Sequence, residues 1–350
     1  MRATIEVALP TDEAFEVLLD ELTLSLARRG ISLVAGPQGR VTQDDVEVGR
    51  VAAWEPGRRL QLDWRPADWL PETATQLELR FEPVPSGTRV TVEHRGWGGL
   101  LADQGGELVG WFADEVLAPL LTAIAPAGFG DWLTDRSVRR PTGGRARGTY
   151  SDPLFHRPNF KAILQTLALG PGDHLLEVGC GGGAFLQDAL RSGCRAAAVD
   201  HSPDMVRTAL GANAAAIAEG RLRIEEAEAD RLPFAEETFT CAVMTGVVGF
   251  LPDPVAALAE IRRVLAEGGR LVVFSGSPEL RGTPAAPYPF ASRIRFFEDV
   301  ELVDAARQAG FAEAAVTRPD LSGFAREVGV PEDALPLFAG RGGQLLVARR

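Results

Sequence analysis

The chain has 350 residues, 45% of them hydrophobic and 24% charged, with a formal net charge of −12 at pH 7. That composition suits a globular chain long enough for two domains, and the acidic surplus disfavours a nonspecific hold on nucleic acid or an anionic membrane. No apolar run reaches the roughly 18 residues that a membrane span needs, and the opening "MRATIEVALPTDEAF" has neither the apolar stretch nor the cleavage site of a secretory signal.

From the N-terminus, "ATIEVAL" alternates as a strand, and Thr11 then starts a helix with Phe15, Leu18, Leu19 and Leu22 on one face. "ISLVAG", "VEVGRVAAW" and "RRLQLDWRP" read as strands separated by turn residues. "TQLELRFEPVPSGTRVTVEHRGW" reads as a hairpin turning at Pro85-Ser86-Gly87. The long amphipathic helix "GELVGWFADEVLAPLLTAIAPA" repeats Phe112, Val116, Leu120 and Ile124 at four-residue spacing. Strand, helix, meander and long helix predict a curved antiparallel sheet that wraps the last helix. Trp54, Trp64, Trp69, Trp97 and Trp111 are expected in its core, and His94 as a satisfied polar group at a strand end.

This order, with "GRVAAWEPGRRLQLDWRP" and "TRVTVEHRGW", resembles the START-like (SRPBCC) superfamily in its activator-of-Hsp90-ATPase-homologue branch. The resemblance covers residues 1–135 and implies an α+β helix-grip fold, which often holds an apolar ligand between helix and sheet. Pro, Gly and Arg in "RSVRRPTGGRARG" then predict a linker over 136–148.

Over 149–350 strands and helices alternate, which predicts a parallel sheet covered on both faces, with ligands beyond the carboxyl ends of its strands. The strands are "HLLEVG", "RAAAVD", "LRIEEAEAD", "TFTCAVMTG", "RLVVFSG", "AAVTRP" and "QLLVARR". The helices include "AFLQDALRSG", "PDMVRTALGANAAAIAEG" and "FFEDVELVDAARQAGF", and "PVAALAEIRRVLAEGG", which Gly268 and Gly269 would stop.

At the end of the first of these strands, "LLEVGCGGGAF" places Gly179, Gly181 and Gly183 where a ligand can approach the main chain. Gly179, Gly181 and Ala184 also satisfy G-x-G-x-x-A, so the loop alone leaves a nicotinamide dinucleotide open. Glu177 would be unwelcome beside a pyrophosphate. Asp200 ends the next strand, in reach of ribose hydroxyls, and Asp230, in "ADRLPF", ends the third, in reach of an adenine amine. Acids at three strand ends suit an adenosine ligand without phosphate, and S-adenosylmethionine fits that description.

In order and spacing, "LLEVGCGGG", "AVDHSPDMV", "EAEADRLPF" and "DPVAALAEIRRVLAEGGRLVV" resemble the class I S-adenosylmethionine-dependent methyltransferases, in the branch that methylates small molecules. The resemblance implies a Rossmann-like α/β fold with a seven-stranded sheet whose last strand is antiparallel. It implies that Glu177, Gly179, Gly181 and Gly183 underlie the methionine part, that Asp200 holds the ribose, and that Met205 lies against the adenine. Asp230, Arg231 and Leu232 would frame the adenine edge, and Thr245 would face the methionine end. The segment before the first strand, which holds Tyr150 and His156, folds over the cofactor in this family. These two and Tyr288, in the Pro-rich stretch after the fifth strand, are the candidate catalytic residues; Tyr288 and Phe290 are candidate walls for the acceptor.

The cysteines Cys180, Cys194 and Cys241 form no C-x-x-C pair, and the four histidines do not sit at ligand spacing. No disulfide framework or metal site is therefore expected, and the chain is expected in a reducing cytoplasm. The expected activity is methyl transfer to a small-molecule acceptor, with the first domain offering a place for an apolar substrate or effector. Its rivals are a nicotinamide-dependent reductase and a ligand-binding or chaperone-assisting module with a catalytically silent cofactor domain.

Overall fold

The computed structural model describes residues 2–27, 29–65, 74–96, 134–283, 285–286, 290–340 and 343–350. It divides into two compact units, Met1–Leu133 and Thr134–Arg350. The helix expected over 106–127, together with Trp69, Trp97, Trp111 and Tyr288, lies outside the described residues.

The first unit is built on an antiparallel sheet of β1 (Arg2–Val7), β2 (Ile31–Leu33), β3 (Arg40–Gln43), β4 (Val46–Glu55), β5 (Arg59–Trp64), β6 (Thr75–Val84) and β7 (Gly87–Arg95). The spatial order is β1-β7-β6-β5-β4-β3-β2. Alternation in β6 buries Leu77, Leu79 and Phe81 on one face. The helix α1 (Thr11–Ala27) packs there through Phe15, Leu18 and Leu22, and Phe15 meets Trp54 edge-on at 5.3 Å between ring centroids and Phe81 at 5.2 Å. Val84 pairs with Gly87, so Pro85-Ser86 is the hairpin loop; at Gly87, with φ +133°, a Cβ would collide with the carbonyl of Val7. His94 is buried near the end of β7, between β1 and β6 in the sheet, and its Nε2 lies 2.8 Å from Thr75 Oγ1.

The second unit contains a seven-stranded sheet of β8 (His174–Val178), β9 (Arg195–Asp200), β10 (Leu222–Glu226), β11 (Phe239–Thr245), β12 (Leu265–Gly276), β13 (Glu313–Thr317) and β14 (Gly343–Arg349). Its order is β10-β9-β8-β11-β12-β14-β13, and β14 runs antiparallel to both neighbours. Two apolar clusters cover the faces, one around Phe185, Leu175 and Val243, the other around Phe239, Leu271 and Leu346. The order reverses between β8 and β11, and in such sheets that is where ligands bind.

Three local expectations are corrected. The stretch 136–148 is not a bare linker: it carries a π-helical turn, Asp135–Arg139, and most of the helix α2 (Gly143–Ser151). The helix expected to stop at Gly268 ends at Val264, because Leu265, fully buried, already pairs with Phe239 in the sheet. The helix expected over 203–220 breaks at Asn213, whose side-chain amide donates to the carbonyls of Gly183 (3.1 Å) and Ala209 (3.0 Å).

Candidate functional site

Gly179, Gly181 and Gly183 have φ values of +78°, +51° and +80°. L-residues rarely hold this left-handed region, so the loop requires glycine there. Close neighbours add a second reason. A Cβ at Gly179 would strike Val247, and one at Gly183 would press on Asn213 and Ala209. The loop lies after α3 (Arg157–Leu167) and β8 and leads into the helix α4 (Ala184–Ala189), and Gly179 N donates to the carbonyl of Val199, 2.8 Å away.

Asp200 closes β9 and is nearly buried. Its Oδ2 accepts from Gly181 N and its Oδ1 from Ser202 N, both at 2.9 Å. The acid thus holds the glycine loop and the start of the helix α5 (Pro203–Ala212) together. Each oxygen keeps a second lone pair for another donor. Burial raises its pKa despite those two bonds.

Glu177 lies on β8, buried, and its Oε2 has no hydrogen-bond partner among the described residues. Burial, reinforced by the charge of Asp200, raises its pKa well above the ordinary carboxylate range. Thr245 ends β11, and its buried Oγ1 is likewise without a partner among the described residues. The register pairs Met244 with Val178, which sets Thr245 level with Gly179 on the neighbouring strand. Two unsatisfied buried polar atoms therefore flank the glycine loop, where such atoms are costly unless a ligand completes them.

The remaining expected residues spread more widely. Met205 is fully buried in the first turn of α5, capped by Ser202. Leu232 is buried, and its N–H donates to Glu260 Oε1 at 2.9 Å. Asp230 and Arg231 are exposed. Asp230 does not end a strand: β10 stops at Glu226, and Asp230 stands in the turn beyond it. Tyr150, on α2, lies against the loop, where a Cβ on Gly181 would sit 3.1 Å from its ring. Burial raises its pKa, and its hydroxyl donates to the carbonyl of Ser137 at 3.2 Å. His156 is exposed and stacks on Phe160, with centroids 6.3 Å apart. Phe290 meets Phe250 at 5.9 Å, beyond the carboxyl ends of β12 and β11. Among the described residues no group of histidines, cysteines and acids could hold a metal ion.

Sequence reasoning missed how the segment 135–151 is fastened. Ser202 Oγ donates to the carbonyl of Pro141 at 2.5 Å, and Arg147 pairs with the buried Asp204 at 3.1 Å. His201 Nε2 contacts the carbonyl of Arg139. The signal was "HSPDM", a polar run around a helix start. It shows a cap, but not what the cap's neighbours hold.

Comparison with known proteins agrees with the two units. Residues 176–273 match the family described as "Methyltransferase domain", and residues 19–113 match "Activator of Hsp90 ATPase homolog 1-like protein". An uncharacterized protein of Mycobacterium tuberculosis is 31% identical over 118 residues, covering 33% of this chain and 42% of the relative. A demethylmenaquinone methyltransferase of Mycolicibacterium paratuberculosis is 34% identical over 113 residues, 32% of this chain and 46% of that protein. The chain thus spans less than half the length of these relatives. A crystal structure of an S-adenosylmethionine-dependent methyltransferase from Mesorhizobium loti aligns with a TM-score of 0.46 at 19% identity, over 57% of this chain and 100% of that one.

Proposed function

We propose that this chain, which carries a methyltransferase domain behind an activator-of-Hsp90-ATPase-like domain, transfers the methyl group of S-adenosylmethionine to a small-molecule acceptor. The observation that supports this reading best is Glu177. A buried carboxylate with an unpartnered oxygen and no counter-charge among the described residues suits a ligand that brings its own cation and N–H donors. A pyrophosphate beside it would add like charge, which disfavours the dinucleotide alternative.

The residues fit the cofactor. The glycine loop lets it approach the backbone, Glu177 and Thr245 accept from its amino-acid end, and Asp200 accepts from ribose hydroxyls with its free lone pairs. Met205 and Leu232 back the adenine, with Asp230 and Arg231 at its rim. When bound, the sulfonium supplies an already activated methyl carbon. The protein's task is then to hold an acceptor in line and keep water out. Tyr150, against the loop, supplies a wall; burial raises its pKa, which disfavours the phenolate and with it a role as base, and its one O–H is taken by the carbonyl of Ser137. Phe250 and Phe290 offer an apolar surface to the acceptor.

Calorimetry on the full chain tests the cofactor: S-adenosylmethionine binds, NAD does not, and the opposite preference overturns the reading. Transfer of a labelled methyl group to a pool of apolar metabolites then separates an enzyme from a silent binding domain. In the same reading the first unit binds an apolar substrate or effector. Removing residues 1–133 then raises KM and leaves kcat unchanged; identical constants would leave that unit without a part in the chemistry.

A further inference from the structure

Between β10 and β11 the chain runs through residues 227–238 without strand or helix. Both ends of this segment are tied down by the backbone. Ala227 N donates to the carbonyl of Asp200 at 3.1 Å, and Glu237 N and Thr238 N donate to the carbonyls of Arg263 and Val264 at 3.1 and 2.8 Å. The middle is held by two side chains of the helix Pro254–Val264. Glu260 Oε1 accepts from Leu232 N at 2.9 Å. Arg263 Nη2 donates to the carbonyls of Leu232 at 3.3 Å and Phe234 at 3.0 Å. The guanidinium also grips the Glu260 carboxylate with two donors, Nε at 2.8 Å and Nη2 at 2.7 Å. Such a fork fixes the two side chains in one geometry.

Both main-chain polar groups of Leu232 are thereby committed to this helix, and its side chain is buried in the core. Asp230 and Arg231 stand just before the anchor, exposed, on the segment that starts beside Asp200. A carboxylate only accepts, so it pairs with an amino group and repels a carbonyl oxygen. Discrimination of that kind needs the acceptor held to within about 0.5 Å, and a segment without a ladder of its own does not keep that place unaided.

We propose that Glu260 and Arg263 are positioning residues for recognition of the base: they fix the main chain at 230–232, so that Asp230 meets the amino edge of an adenine and rejects a purine with a carbonyl there. This rests on the methyltransferase reading given above. Arg262, the neighbour of Arg263, supplies a control. Its Nε donates to the carbonyl of Gly310 at 2.7 Å, so it ties the same helix to a different part of the fold.

Calorimetry on the full chain with S-adenosylhomocysteine and with S-inosylhomocysteine, its 6-oxo counterpart, reads the ratio of the two dissociation constants. In the wild type the ratio favours the adenine ligand by about thirtyfold or more, and in Arg263→Ala it falls to about threefold or less. In Arg262→Ala it keeps the wild-type value, whatever either variant loses in stability. Arg263→Lys keeps the charge but not the fork; its ratio falls between, and it decides the matter if Arg263→Ala does not fold. An unchanged ratio in the Arg263 variants that fold, or an equal loss in Arg262→Ala, overturns the proposal. A wild type that binds both ligands alike overturns it too and leaves the functional reading standing. A wild type that binds neither overturns the functional reading itself, and the proposal with it.

Discussion

Two buried glutamates, one in each unit, show opposite electrostatics. Glu78 on β6 is 4% exposed, and its carboxylate takes Arg80 and Arg59, each at 2.6 Å. The hydrogen bond from Arg80, with help from Arg59, outweighs burial and lowers its pKa. Glu177 on β8 is 3% exposed, has no such partner among the described residues, and its pKa is raised. The first acid is completed by the fold. The second is left incomplete at a strand end, where the sheet order reverses. The same contrast runs along the second sheet itself: at its amino end, Asp173 accepts from Gly170 N (2.9 Å), Thr240 (2.8 Å) and Arg270 (3.0 Å). Polar burial at one end is satisfied, and at the other Glu177 Oε2 and Thr245 Oγ1 are without a partner among the described residues.

The sharpest way to break the comparison is to neutralise both glutamates. Glu177→Gln is expected to weaken S-adenosylmethionine binding about a hundredfold, because an ionic acceptor for the ligand's cation is lost. The same change should raise the melting temperature of the ligand-free protein at pH 8 by about 2–4 °C, since an uncompensated buried charge is removed. Calorimetry and thermal melts check both halves; a melt that falls with the affinity would mean that Glu177 is structural. Glu78→Gln should do the reverse. It costs about 1–2 kcal/mol of stability, at the low end for a charged pair because Arg59 and Arg80 are partly exposed, and leaves the cofactor's Kd unchanged.

Asp200→Ala is expected to weaken cofactor binding tenfold to a hundredfold while the circular dichroism stays native. An unchanged Kd in the folded variant would reduce Asp200 to a fastener of the loop. Gly183→Ala should cost about 1–3 kcal/mol, through strain at φ +80° and contact with Asn213 and Ala209. Urea unfolding reads that loss.

The smallest effect concerns pH. The raised pKa values of Glu177 and Asp200 put the neutral acid into the range above about pH 4.3, where the unfolded chain is already ionised. Stability of the ligand-free protein should therefore decline as pH rises through that window, because the folded state binds more protons than the unfolded one. Cofactor affinity should move the other way on this acidic limb, since binding wants the carboxylates ionised. Glu177→Gln should flatten both limbs; if neither changes, Glu177 does not titrate in this range.

Periodicity and punctuation in the sequence determined a great deal. Alternation located β1, β5, β6 and β7, and the switch to alternating strands and helices marked the second unit. Stacked glycines after "LLEV" marked the loop. These signals are local, since side-chain period and backbone freedom are properties of a few neighbouring residues. What the sequence left open depends on contacts between distant residues. The short strand β3 lacked a pattern of its own and exists by pairing with β2 and β4. Leu265 reads as helix locally and is drawn into the sheet by Phe239. Asp230 lies beyond the end of a strand that pairs only as far as Glu226, opposite Asp200. No pattern in "LLEVG" distinguishes an acid with a guanidinium beside it from one without. Only the tertiary structure decides that Glu78 has arginines beside it and that Glu177 has none among the described residues, because burial and the charges that offset it come from other parts of the chain.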